Sequence, residues 1–180
     1  MDATAHTKLP NERTVTITRV FDAPRELMFR LWTEPKHLAQ WWGPKVFTNP
    51  VCEVDARPGG AILIHMRGPD GVTYPMTGTF HEVVAPERIV FTAVARDLQG
   101  NPLLEAFTTV TSEDQRGKTK LTVNARGVGI APVAPQMLAG MEEGWSQSLE
   151  KLAALARVGG DIRPCIVTHR SLEHDSDTPI

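Results

Sequence analysis

A chain of 180 residues with 41% hydrophobic and 22% charged residues can bury one core of ordinary size and does not have the composition of a disordered protein. Its 19 Lys and Arg stand against 21 Asp and Glu, with no basic stripe, so it lacks the electrostatic attraction that nucleic acid or anionic lipid requires. No apolar run approaches the ~18 to 20 residues that span a bilayer, and the two cysteines, Cys52 and Cys165, fit a reducing compartment, so a cytoplasmic protein with no membrane insertion is expected.

Residues 1–12 read as a loose polar arm, 13–157 as the domain and 158–180 as a polar tail without periodicity. The domain opens on residues 13–21, where Thr14, Thr16 and Thr18 alternate with Val15 and Ile17 before Phe21, the period-two pattern of a half-buried strand. Asp22-Ala23-Pro24 supplies a capping side chain and a proline where a helix can start, and Leu27, Met28, Leu31 and Trp32 follow at helical spacing. Thr33-Glu34-Pro35 repeats the start signal for a second short helix carrying Leu38, Trp41 and Trp42, which Gly43-Pro44 ends.

Between residues 46 and 126 short β-rich runs are separated by turn chemistry: Arg57-Pro58-Gly59-Gly60, Gly68-Pro69-Asp70-Gly71, Pro86-Glu87, Gln99-Gly100-Asn101 and Gln115-Arg116-Gly117. About six strands fit here, and connections this short hold no crossover helix, so neighbours run antiparallel as a meander. Over 135–157, Leu138, Met141, Trp145, Leu149, Leu152 and Ala156 recur at steps of three and four, which predicts one amphipathic helix of roughly 30 Å or more, long enough to cross a sheet. Gly140 and Gly144, one turn apart in it, each disfavour a helix by about 1 kcal/mol relative to alanine, which predicts close approach to the sheet or to a ligand.

The order of strand, two short helices, meander and long final helix resembles the helix-grip architecture of the START and birch-pollen-allergen superfamily. The strings Arg19-Val20-Phe21-Asp22-Ala23-Pro24, Trp41-Trp42-Gly43-Pro44, Met66-Arg67-Gly68-Pro69-Asp70-Gly71, Pro86-Glu87-Arg88-Ile89-Val90-Phe91-Thr92 and Gly144-Trp145 bring it closer. They are similar to the bacterial branch related to the C-terminal domain of the ATPase activator of the ninety-kilodalton heat-shock chaperone. The resemblance implies an α+β fold, a curved antiparallel sheet of about seven strands gripping the last helix, and a cavity between them. It does not fix the role, since one fold hosts many. A binder of a small apolar molecule, lipid-like or aromatic, is the first expectation; a chaperone-associated protein and a polyketide cyclase-like enzyme are the alternatives, and monomer and homodimer both stay open.

Strand parity selects the walls of such a cavity. Ile64 and Met66 share a face, as do Tyr74, Met76 and Phe80, and as do Ile89, Phe91 and Ala93; Met141 and Trp145 point at them from the last helix, and Trp42 closes one end. Methionine suits a permissive site, and Tyr74, the only tyrosine, offers one hydrogen bond to a ligand on an apolar wall. His65 faces away from Ile64, and Glu53 and Asp55 read as a solvated strand face. The remaining histidines show no metal-ligand spacing, and Gly127-Val128-Gly129 is too short to be a dinucleotide fingerprint. No catalytic set, cofactor or metal is therefore expected.

Overall fold

A computed structural model describes residues 11–159; most of the expected N-terminal arm, and the C-terminal tail with Cys165, lie outside the described residues. Strand β1 (Glu12–Phe21) leads into helices α1 (Arg25–Thr33) and α2 (Pro35–Trp41). Strands β2 (Thr48–Val54), β3 (Ala61–Arg67), β4 (Thr73–Val84), β5 (Arg88–Arg96), β6 (Pro102–Gln115) and β7 (Lys118–Gly129) follow, and then helices α3 (Ala134–Ala139) and α4 (Met141–Arg157). The sheet order is β1-β7-β6-β5-β4-β3-β2. All neighbours are antiparallel, so the meander runs from one edge and β1 pairs with its last strand.

Phe21, Ile64, Phe80, Phe91, Leu121 and Val123 from the sheet meet Leu149 and Leu152 of α4 and Met28, Leu31 and Trp41 of the short helices in one buried core. Burial of this kind is worth about 25 cal/mol per Å² of apolar surface, which is why a helix with one apolar stripe and a sheet with one apolar face fold onto each other. Trp41 is fully buried, and its indole N–H donates to the carbonyl of Leu31 at 2.8 Å, fixing α2 against α1.

Two local expectations are corrected. Asp22 does not cap α1: Pro24 takes the cap position without a side-chain bond, and Asp22, two residues further back, is exposed. The single helix over 135–157 is two, divided at Gly140. Arg13 of β1 donates to the carbonyls of Leu138 and Ala139 at 3.1 and 2.8 Å and pairs with Glu142 at 2.9 Å, so the last carbonyls of α3 are satisfied from the sheet and not from a continuing helix. α4 alone, at 17 residues, extends about 25 Å. Among the described residues no helix is long and apolar enough to cross a membrane.

Candidate ligand cavity

The space between sheet and helix originates in small side chains. On the inward face Gly78 pairs with Ala93, Ala93 with Ala106, and Ala106 with Gly127, so one row crossing four strands carries nothing larger than a methyl group. In the next row Ala95 stands between Met76 and Leu104. Over the β7 end of the small row sits Met141: a Cβ at Gly127 would come within 2.6 Å of its sulfur. In the middle of the row Ala93 and Ala106 line a cavity of about 180 Å³. Ala95 and Ala106 point inward yet keep partial exposure, so the cavity reaches solvent.

Of the nine side chains predicted to wall this cavity, six do: Trp42, Met66, Met76, Phe91, Met141 and Trp145. Ile64 and Phe80 lie deeper, around an adjoining void of about 10 Å³. Tyr74 lines neither space. It is 40% exposed at the start of β4, with its ring 5.7 Å from that of Phe47, because parity puts it on the inward face at a point beyond the cover of α4. The expected phenolic handle is therefore not in the wall.

The aromatic contacts also differ from the expectation that Trp145 opposes Phe80 and Phe91. Trp145 stacks on Trp32, with centroids 6.1 Å apart and planes at 23°, and meets Trp42 edge-on at 5.5 Å. Trp42 then reaches Phe91 at 6.1 Å, and Phe91 reaches Phe80 at 6.2 Å. With Trp32 and Trp41 centred 4.6 Å apart, all four tryptophans form one cluster, of which Trp42 and Trp145 line the cavity. Such edge and offset contacts contribute about 0.5 to 1.5 kcal/mol each beyond burial.

From the helix side the wall is held by polar contacts. Lys151 donates to the carbonyls of Trp42 and Pro44 at 3.3 and 3.1 Å, Lys45 pairs with Glu150 at 2.6 Å, and the Lys45 amide donates to Gln147 at 3.1 Å. Partial burial lowers the pKa of Lys151, and the hydrogen bond from Lys45 lowers that of Glu150. These charges tie α4 to the Trp42–Lys45 turn and do not enter the cavity, whose lining includes no titratable side chain.

Gly140 and Gly144 make no close approach to the sheet, the first of the two predicted alternatives. The nearest atoms to a Cβ at Gly140 would be two carbonyl oxygens of α3 at 3.7 Å, and at Gly144 Cγ of Pro44 at 4.0 Å. Gly140 marks the helix break, while Gly144 lines the cavity and widens it. Five lining residues carry no signal that a single strand or helix displays: Ala95, Leu104, Ala106, Thr108 and Ser148. Ala95 of β5 and Leu104, Ala106 and Thr108 of β6 stand at every second position of their strands, which parity alone does not align across strands, and Ser148 lies on α4.

Thr108, paired in register with Phe91, is 1% exposed, and its hydroxyl has no partner among the described residues. The equally buried Thr119 donates to the carbonyl of Ala23 at 2.7 Å. An unpaired buried hydroxyl costs about 1 to 3 kcal/mol, so Thr108 carries a penalty that Thr119 does not. His65 is half-buried on β3 and does not line the cavity, while His37 is buried beside Glu34 at 2.8 Å. Among the described residues no group of three or more His, Cys, Asp or Glu is placed to hold a metal ion.

Residues 22–157 match the family model described as Activator of Hsp90 ATPase homolog 1-like protein. Among solved structures, a protein from Chromobacterium violaceum is 31% identical, with 82% of this chain and 98% of that one covered at a TM-score of 0.65. The AHSA1 protein of Silicibacter pomeroyi is 27% identical over 81% of this chain and 99% of its own, with a TM-score of 0.70. A protein from Arthrobacter aurescens is 26% identical over 90% and 93%, with a TM-score of 0.69. No curated protein matches at a significant level.

Proposed function

Because the chain belongs to the family of Hsp90 ATPase activator homologue 1-like proteins, with its START-like fold, we propose that it binds a small apolar molecule in the cavity between the sheet and α4, acting in the cytoplasm. One observation carries this reading: an opening of about 180 Å³ in a wall of aromatic, methionine and alanine side chains. Concave apolar spaces of this type are the usual small-molecule sites, and an engineered cavity of ~150 Å³ accepts benzene. Trp42, Met66, Met76, Phe91, Met141 and Trp145 are the proposed contact residues, with Ile64 and Phe80 packed behind them. An acid–base reaction would need titratable groups converging on the substrate, and the lining supplies none, which favours a binder over a cyclase. Native mass spectrometry of protein purified from its own host should show a retained small molecule. Absence of one, together with no perturbation of the lining residues by apolar compounds up to their solubility, would remove the reading.

The family's description supports a second reading, contact with the large heat-shock chaperone. Its test is a binding assay with the purified chaperone: an interaction that survives filling of the cavity would place that role on the outer surface.

A further inference from the structure

The cavity wall holds two side-chain hydroxyls, and they are not equivalent. Ser148 donates to the carbonyl of Gly144 at 2.8 Å, so its oxygen is left only to accept. Thr108, on the sheet side, is 1% exposed and has neither donor nor acceptor among the described residues. One step of about 120° in χ1 brings a threonine's hydroxyl to the place its methyl held while the methyl moves to that of the Cβ hydrogen, so the group turned to the cavity can follow what the cavity holds.

No charged side chain lines the space, and burying a carboxylate or ammonium there without a counter-charge is strongly unfavourable. We infer that the Thr108 hydroxyl is the hydrogen-bonding point of the cavity, and that the ligand is an uncharged, single-ring-sized molecule with one hydroxyl or carbonyl group on an apolar body. The inference rests on the ligand-binding reading above and replaces Tyr74 with Thr108 as the polar handle. Discrimination follows from its physics: an apolar ligand leaves the threonine unpaired, whereas a ligand with one polar group at that point satisfies both partners at once.

Phenol and toluene, close in shape and differing in one hydroxyl, are suitable probes. In two-dimensional amide NMR titrations the wild-type protein should bind both, with the phenol-to-toluene affinity ratio falling about five- to tenfold in Thr108→Val, the value of one net hydrogen bond. Thr108→Ser should keep the ratio, and Thr108→Ala, which lacks the same group, gives a second reading of it if the valine protein does not fold. Thr108→Val should also raise Tm, because it removes the unpaired hydroxyl without changing the side-chain shape. Benzoate, charged at pH 7, should bind at least tenfold more weakly than phenol. An unchanged ratio with both probes still bound would overturn the handle and leave the cavity reading intact. Benzoate binding as well as phenol would overturn the uncharged ligand class, and failure of the wild type to bind either neutral probe would remove both readings together.

Discussion

Trp145 of α4 stacks on Trp32 of α1, centroids 6.1 Å apart with planes at 23°, so this ring joins the final helix to the first helix while Leu149 and Leu152 join it to the sheet. Trp32 is buried and Trp145 is only partly so. Substitution to alanine should therefore destabilise unequally, by about 4 to 5 kcal/mol at Trp32 and about 3 kcal/mol at Trp145, the upper and lower parts of the range for buried aromatics. Urea unfolding reads both. Trp145→Ala should also weaken toluene binding while Trp41→Phe leaves it unchanged; equal effects would mean that Trp145 is packing alone.

Gly144 offers a gain in stability. A Cβ there meets nothing nearer than Pro44 at 4.0 Å, so Gly144→Ala should stabilise α4 by about 0.5 to 1 kcal/mol without a clash. Ala106→Leu goes further, since its side chain enters a space of about 180 Å³. Circular dichroism should show an unchanged fold and calorimetry a Tm that does not fall, while toluene no longer binds. Retention of toluene affinity would place the binding space elsewhere.

Glu34 links α1 to α2: it accepts from Arg30 at 3.0 Å and lies 2.8 Å from His37. The hydrogen bond from Arg30, aided by the charges of Arg30, His37 and Lys36, lowers its pKa. A depressed folded-state pKa contributes stability that is complete above the unfolded value of ~4.3 and is lost as pH falls through the lower folded value. The Tm difference between wild type and Glu34→Gln should therefore be largest near pH 6 and shrink below about pH 4. A difference that stays constant down to pH 3 would show that the charge is not what Glu34 contributes.

Cys52 should be slow to react. Burial pushes its thiol up to about 11, so little thiolate exists at pH 8. In a Cys165→Ser background, Ellman's reagent should label native Cys52 on the order of a hundredfold more slowly than a small free thiol, the ratio of thiolate populations, and at the full rate in denaturant. Fast labelling of the native protein would mean that β2 opens locally.

The sequence alone carried the architecture, because each element has its own short-range signature. Threonines alternating through β1, turn residues between β2 and β7, and a three-and-four spacing from Leu138 to Ala156 are local patterns, and connections too short for helices allow only a meander. Parity likewise found Met66, Met76 and Phe91, since the side-chain period of a strand is two whatever its neighbours are. Tertiary structure decided what parity does not contain: how far along each strand the cover of α4 extends, and which residues of different strands stand side by side. The first left Tyr74 outside the cavity and set Trp145 on Trp32. The second brought Gly78, Ala93, Ala106 and Gly127 into one row and Thr108 beside Phe91. Register is a property of strand pairs, fixed by the sum of many cross-strand contacts, so a cavity floored by small residues of neighbouring strands is written in the sequence only as scattered alanines until the sheet is assembled.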